Sequence, residues 1–331
     1  MKILESKYLG LRLKNPIIVG SCGLTNSVES IKKLAENGAA AVVVKSVFEE
    51  EIIQEHQDVL KNKLGDQDNN LEFLDYFDYQ IKSDVLKKTA ALIQDAKKEV
   101  DIPIIGSINC ASSGEWVSYA KILADAGADA LELNLFKLPS DVNQKADEQE
   151  QFYQSIVSAV KSHVSIPVSV KIAPYSSNLA ASIKKMDDIG VDGITMFNRF
   201  YNVDFDIYTD EVIAGSPYST NEEYYNALRW ISIMSGKVNT DLSASTGVHN
   251  AETAIKMLMA GATTVQIVSK IYMDGPEVIS SILEGIKEWM EKRGYVSIDE
   301  FRGSVHHDPD QNSERFERVQ FMRYFGEHMI S

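Results

Sequence analysis

Polar residues recur in this chain at the points where apolar runs give out. Ser21 and Cys22 end one such run; Lys45 and Ser46 end the next. Asn109, Asn134 with Lys137, Lys171 and Asn198 follow in the same way, and then Ser245, Thr246 and Gly247, and finally Ser269 and Lys270. A lysine that ends a buried strand must find an anion or a polarised acceptor, because an unpaired buried charge is too costly. Lys45 and Lys171 therefore point to an electron-rich or anionic ligand, unless each is matched by a neighbouring carboxylate. The hydroxyls of Ser245, Thr246 and Ser269, the glycine at 247 and the Lys270 ammonium suit a phosphate held near a helix N-terminus.

These positions have one chemistry only if the fold gathers them. Short apolar runs suited to buried strands span 16–22, 40–46, 103–109, 130–136, 167–173, 193–198, 238–245 and 263–269. Segments with helical spacing alternate with them, over 28–37, 82–98, 114–125, 147–163, 178–189, 221–235, 251–259 and 277–293. Strict alternation implies a parallel sheet, and eight units imply a closed (β/α)8 TIM barrel. The chain then reads as a single barrel domain over 1–331, with no composition break that would divide it. An N-terminal hairpin turns near Gly10. An acidic, aromatic insert over 47–81 follows strand two and reads as a functional lid or a solvated loop. A polar extension, 295–331, is expected on the barrel exterior or at a subunit contact.

The polar strand ends thus fall on the C-terminal mouth, where such barrels carry their chemistry. Composition narrows the partners. The net charge of −15 argues against nucleic acid and anionic membrane. Two cysteines, Cys22 and Cys110, build neither a disulfide framework nor an iron–sulfur cluster. No apolar run approaches the ~18 residues of a membrane span, and the N-terminus lacks a signal-like apolar stretch, so a cytoplasmic protein is expected.

Seven segments carry a family resemblance: LKNPIIVGSCG, AAVVVKS, IPIIGSIN, YAKILADAGADALELNL, PVSVKIAPY, GVDGITMFNR and AETAIKMLMAGATTVQI. In these the chain resembles the dihydroorotate dehydrogenase family of FMN-dependent (β/α)8 barrels, in the family's order and over nearly the whole length. The resemblance implies an oxidoreductase that converts dihydroorotate to orotate in pyrimidine biosynthesis. Hydride would pass to flavin N5, and a base from the strand-four loop would take the proton. It implies FMN as cofactor, a small-molecule substrate and a homodimer. Lys45 and Ser46 would lie near flavin and substrate, with Ser21, Asn109, Ser245, Thr246, Gly247, Ser269 and Lys270 also on the cofactor. Lys171 would sit near flavin N1. Asn134 and Asn198 would hydrogen-bond flavin or substrate.

The family reads Asn-Leu-Ser-Cys/Ser-Pro-Asn after strand four, whereas Asn134-Leu135 continue here as Phe136-Lys137-Leu138-Pro139-Ser140. Without a gap Lys137 takes the place of the base; aligned on the proline, Leu138 does. Lys137 is the expected base, with Ser140 second and also at the substrate. A lysine serves there only if desolvation or nearby cations lower its pKa. The phosphate loops have exchanged glycines for side chains, and the asparagine motif after strand two is matched only by Asn69 and Asn70.

Two further readings stand beside this one. The first is a flavin reductase or dehydrogenase for another cyclic amide or an enone. The second is a non-catalytic flavin-binding relative; a non-flavin lyase or aldolase barrel ranks below both. No histidine set has metal-ligand spacing, and His306-His307-Asp308 reads as a surface cluster. His249 reads as a helix-start residue near the phosphate loop. Tyr201, Phe205 and Tyr208 are expected either to wall the substrate site or to lie outside it.

Overall fold

The computed structural model describes residues 3–49, 71–110, 113–145, 147–200, 202–306 and 316. Most of the acidic insert, with Asn69 and Asn70, lies outside the described residues, as do Tyr201, His307, Asp308 and almost all of the tail beyond 306.

The hairpin β1 (Ser6–Tyr8) and β2 (Leu11–Leu13) opens the chain. The barrel strands follow as β3 (Ile17–Val19), β4 (Ala41–Val43), β6 (Ile104–Asn109), β7 (Ala130–Leu135), β8 (Val168–Ile172), β9 (Gly193–Met196), β12 (Asp241–Ser245) and β13 (Thr264–Ile267). All eight pair in parallel in that order, and β13 returns to β3, so the sheet closes. A two-residue strand, β5 (Val47–Phe48), extends the sheet beside the end of β6. The expected TIM barrel is therefore what the chain forms. Among the described residues its α-helices are α1 (Val28–Glu36), α2 (Leu71–Glu99), α3 (Ser113–Asp125), α4 (Glu148–His163), α5 (Leu179–Ile189), α6 (Tyr224–Met234), α7 (Ala251–Ala260), α8 (Ser269–Asp274) and α9 (Glu277–Arg293). α2 begins at 71, well before the expected start at 82.

Side chains sort by strand period. Along β7, Leu131, Leu133 and Leu135 join the layer packed against the helices, while Ala130, Glu132 and Asn134 turn inward. The inward residues at the N-terminal strand ends form a separate small core of Ile18, Ala41, Val43, Ile105 and Ala130. The hairpin plugs it: Tyr8, Leu9 and Leu13 are buried there. The Leu9 amide donates to Asp241 Oδ2 at 2.8 Å. A Cβ on Gly193 would come within 2.5 Å of Leu9, so the close approach of plug to strand needs glycine. With the hairpin over the lower end, the lumen's cavity among the described residues lies at the C-terminal mouth.

The segment after β9 departs from expectation. No strand is expected between 198 and the helix at 221, yet Val203–Asp206 (β10) and Glu211–Ala214 (β11) form an antiparallel hairpin separate from the barrel sheet. Phe205 and Tyr208, expected at the substrate wall or outside it, lie outside, 64% and 91% exposed on that hairpin.

Candidate active site at the barrel mouth

A cavity of about 880 Å³ occupies the mouth, within the size range of cofactor sites. Its floor is a closed polar layer one rung below the rim. Lys171, 8% exposed, donates to Gln266 Oε1 at 3.0 Å. Gln266 Nε2 donates to Glu132 Oε2 at 2.6 Å and reaches Thr195 Oγ1 at 3.2 Å. Thr195 in turn donates to Glu132 Oε2 at 2.9 Å. Glu132 is 1% exposed, and its second oxygen, Oε1, has no hydrogen-bond partner among the described residues. Gln266 thus bridges a buried ammonium and a buried carboxylate through the two ends of one amide, the arrangement that makes such charges tolerable together.

Above this layer, Asn198 Nδ2 donates to Asn134 Oδ1 at 2.5 Å, and the Arg199 amide donates to Asn198 Oδ1 at 2.8 Å. The Arg199 guanidinium lines the mouth and is held by Glu223 Oε2 at 2.7 Å and by the carbonyls of Ser216 and Pro217. Burial pushes the Glu223 carboxyl up, but the hydrogen bonds from Arg199 and the Thr220 amide outweigh it and leave its pKa lowered. On the opposite side, Ser21 and Ser46 hydroxyls meet at 2.9 Å, and Ser46 meets Ser107 at 2.7 Å. Lys45 also lines the cavity.

The phosphate-type loops are built differently from expectation. Ser245, Thr246, Gly247 and Ser269 all reach the mouth. However, the Thr246 hydroxyl donates to the Phe197 carbonyl at 3.0 Å, and Ser269 Oγ accepts from the Ser219 amide at 3.0 Å. Thr246 itself has φ of 79°, a left-handed conformation rare for a β-branched residue. Gly247 has φ of 74°, and a Cβ there would lie 2.2 Å from the Tyr224 amide nitrogen, so packing against α6 already demands glycine. His249 is buried, with Nε2 3.0 Å from Ser219 Oγ, and burial followed by the Lys270 charge lowers its pKa. Lys270 pairs with Asp274 at 2.6 Å and does not line the mouth. Asn109 is buried at the end of β6, opposite Phe48, and likewise does not line it.

The strand-four loop is the main surprise. The strand period runs on past β7, so Phe136 follows Asn134 into the mouth and Lys137 follows Leu135 outward. Phe136 stacks on Phe200 with centroids 3.8 Å apart, and Tyr175 lies 5.6 Å from Phe200. Lys137 lines a second cavity outside the barrel, and its carbonyl accepts from Gln149 Nε2 at 3.0 Å. Ser140 is exposed and lines neither cavity. Sequence reasoning also passed over Glu132, Gln266 and Arg199. Two polar residues inside otherwise apolar runs were the available signal for the first two.

The comparisons agree on one family. A family profile described as dihydroorotate dehydrogenase matches residues 3–290. The catalytic subunit of dihydroorotate dehydrogenase B (NAD(+)) from Pyrococcus abyssi is 28% identical over 318 residues, 91% of this chain and 98% of that one. Its counterpart from Thermoplasma volcanium is 26% identical over 315 residues, 92% of this chain and 98% of that one.

Proposed function

This chain belongs to the dihydroorotate dehydrogenase family, whose members are FMN-dependent oxidoreductases acting on CH–CH bonds, and from that premise we propose its cofactor and substrate class. The cofactor is FMN. What supports this is the donor set: a cavity of about 880 Å³ with the Lys171 ammonium at its floor and the hydroxyls of Ser245 and Ser269 on one side. When bound, FMN supplies a hydride acceptor or donor. Lys171, Asn134 and Asn198 hold its ring, with Lys171 offering positive charge where electron density grows. Ser245, the Gly247 backbone and Ser269 hold its phosphate.

The substrate is a planar cyclic amide or enone with an apolar edge, reduced or oxidised at a carbon–carbon bond beside its carbonyl. One observation carries this: the strand-four loop presents Phe136, stacked on Phe200, to the mouth, and directs Lys137 away from it. An aromatic wall orients a flat apolar edge, and the Asn134–Asn198 amide pair offers hydrogen bonds to a carbonyl or an N–H. The proton that accompanies hydride transfer then belongs to groups on other strands, and Lys45 and the Ser21–Ser46 hydroxyl pair are among those that line the cavity. Oxidation of dihydroorotate itself is the second reading, favoured by the names of the relatives. The words catalytic subunit in those names also favour a second, different subunit, to which we add a homodimer in the cytoplasm.

Anaerobic mixing of the purified flavoprotein with dihydroorotate, followed by flavin absorbance, separates the readings. The expected result is a flavin that stays oxidised with dihydroorotate and, once reduced chemically, is reoxidised by a cyclic enone. Rapid bleaching by dihydroorotate would overturn this substrate assignment in favour of the second reading. A protein that takes up no FMN would overturn both.

A further inference from the structure

We propose that His249 is a positioning residue for the cofactor's phosphate: it holds the Ser219 oxygen from behind, so that the Ser219 hydroxyl donates to a dianionic phosphate monoester in the mouth. This role rests on the FMN reading above, and it makes the site sensitive to the charge of the phosphate. Three loops meet on that side of the mouth. Ser219 lies ahead of α6, lines the cavity and is buried, and its amide donates to Ser269 Oγ at 3.0 Å at the start of α8. His249 lies just before Asn250, the N-cap of α7. It is buried and outside the cavity lining, with Nε2 3.0 Å from Ser219 Oγ. Ser219 is thus the group that joins the ring to the cavity.

The hydroxyl hydrogens explain why the ring matters. Each hydroxyl has one hydrogen to give. Thr246 gives its own to the Phe197 carbonyl. Ser269 accepts from the Ser219 amide and keeps its hydrogen for a ligand. For Ser219 the ring decides. If Nε2 carries a lone pair, the Ser219 hydrogen turns back to it. If Nε2 carries a hydrogen, the ring donates to Ser219 Oγ and the hydroxyl hydrogen is released to the mouth. A dianion needs that hydrogen, and it favours the imidazolium over the neutral ring.

The charges around His249 suit it to this exchange. Burial first and Lys270 second lower its pKa, against the pull of Glu223, Asp274 and Glu222. A dianion one hydroxyl away raises it again, so the complex binds more protons than the protein alone. FMN is then held more tightly as pH falls through the histidine range. Protonation of the phosphate itself acts in the opposite sense, because a monoanion attracts these donors less. His249→Gln separates the contributions, since its amide can donate to Ser219 but does not titrate.

Release of FMN on dilution of the holoprotein, read from free-flavin fluorescence between about pH 6 and about pH 8.5, brackets the ordinary histidine value. Wild-type protein is expected to hold FMN about threefold to tenfold more tightly at the acid end, the effect of a pKa rise of up to about one unit. Protein reconstituted with riboflavin, which lacks the phosphate, is expected to show no such gain. His249→Gln is expected to match the wild type at the alkaline end and to lose the acid gain. An equal gain in His249→Gln, or with riboflavin, would overturn the proposal. So would a wild type whose hold on FMN does not tighten on acidification, a result that decides the matter alone if His249→Gln fails to fold. A wild type that retains no FMN at any pH would instead overturn the cofactor reading, and this role with it.

Discussion

At the floor of the mouth Lys171, Gln266, Thr195 and Glu132 answer one another through hydrogen bonds of 2.6 to 3.2 Å. Four residues further along the chain from Glu132, the rim offers an aromatic stack instead, Phe136 on Phe200. Both features descend from β7 and its continuation, through the inward residues 132 and 134 of the strand and Phe136 just past its end. The floor supplies fixed charge, which is what a redox cofactor needs whatever the substrate. The rim supplies shape and apolar surface, which is what distinguishes one substrate from another. A chain can thus keep the cofactor half of its site and change the substrate half by altering one loop.

Breaking the floor is expected to have the largest effect. Gln266→Leu removes the amide that joins Lys171 to Glu132 and leaves both charges in the lumen without it. A loss of about 3–5 kcal/mol in stability is expected, read from the urea unfolding midpoint, together with loss of bound FMN. If stability were unchanged, the floor would not be the cooperative unit described here. Lys171→Gln is milder, because the new amide can still hydrogen-bond Gln266. FMN is expected to remain bound with a more negative midpoint potential, and flavin reduction by substrate to slow by about 10²–10³, as when one stabilising donor is removed. An unshifted potential would separate Lys171 from the cofactor.

Breaking the rim is expected to cost less and to show in a different quantity. Phe136→Ala removes a stacked pair, an interaction of about 0.5–1.5 kcal/mol beyond area burial. With the floor intact, FMN affinity and potential are expected to hold, while KM for the substrate rises about threefold to tenfold. A change in potential without a change in KM would erase the division between floor and rim.

Much of the barrel was legible because its strands announce themselves. Runs such as IIV at 17–19 and AVV at 41–43 alternate with helical segments eight times, and short connections leave few other topologies. The site was legible only in outline. Residues at strand ends were found because polarity changes there, and Ser21, Lys45, Asn134, Lys171, Asn198, Ser245 and Ser269 do line the mouth. Glu132 and Gln266 stand inside apolar runs, where local pattern says burial and gives no hint that a partner waits on another strand. The hairpin over 203–214 escaped for the opposite reason. Its Val-Asp-Phe-Asp alternation is a strand signal, but all its residues except Asp206 are exposed and no core gives the pattern weight. For the strand-four loop the signal was present: Lys137 shares the parity of Leu135, and parity decides which side of the sheet a residue faces.

The smallest expected effect tests that parity directly. Lys137→Ala removes the one ionisable group that aligns with the base position of the family. Because its side chain lines the outer cavity and its carbonyl is held by Gln149 from α4, the truncation leaves the loop's main-chain anchor and the Phe136 stack in place. Exposed substitutions of this kind alter energies by about 0.5 kcal/mol or less, so the rate of flavin reduction is expected to change by about twofold at most. Stopped-flow measurement of the flavin signal checks this against the Phe136→Ala variant, in which KM rises. If Lys137→Ala instead lowered the reduction rate a hundredfold while Phe136→Ala did nothing, the loop would have to turn over on substrate binding, and the rim would be a site of proton transfer rather than of shape.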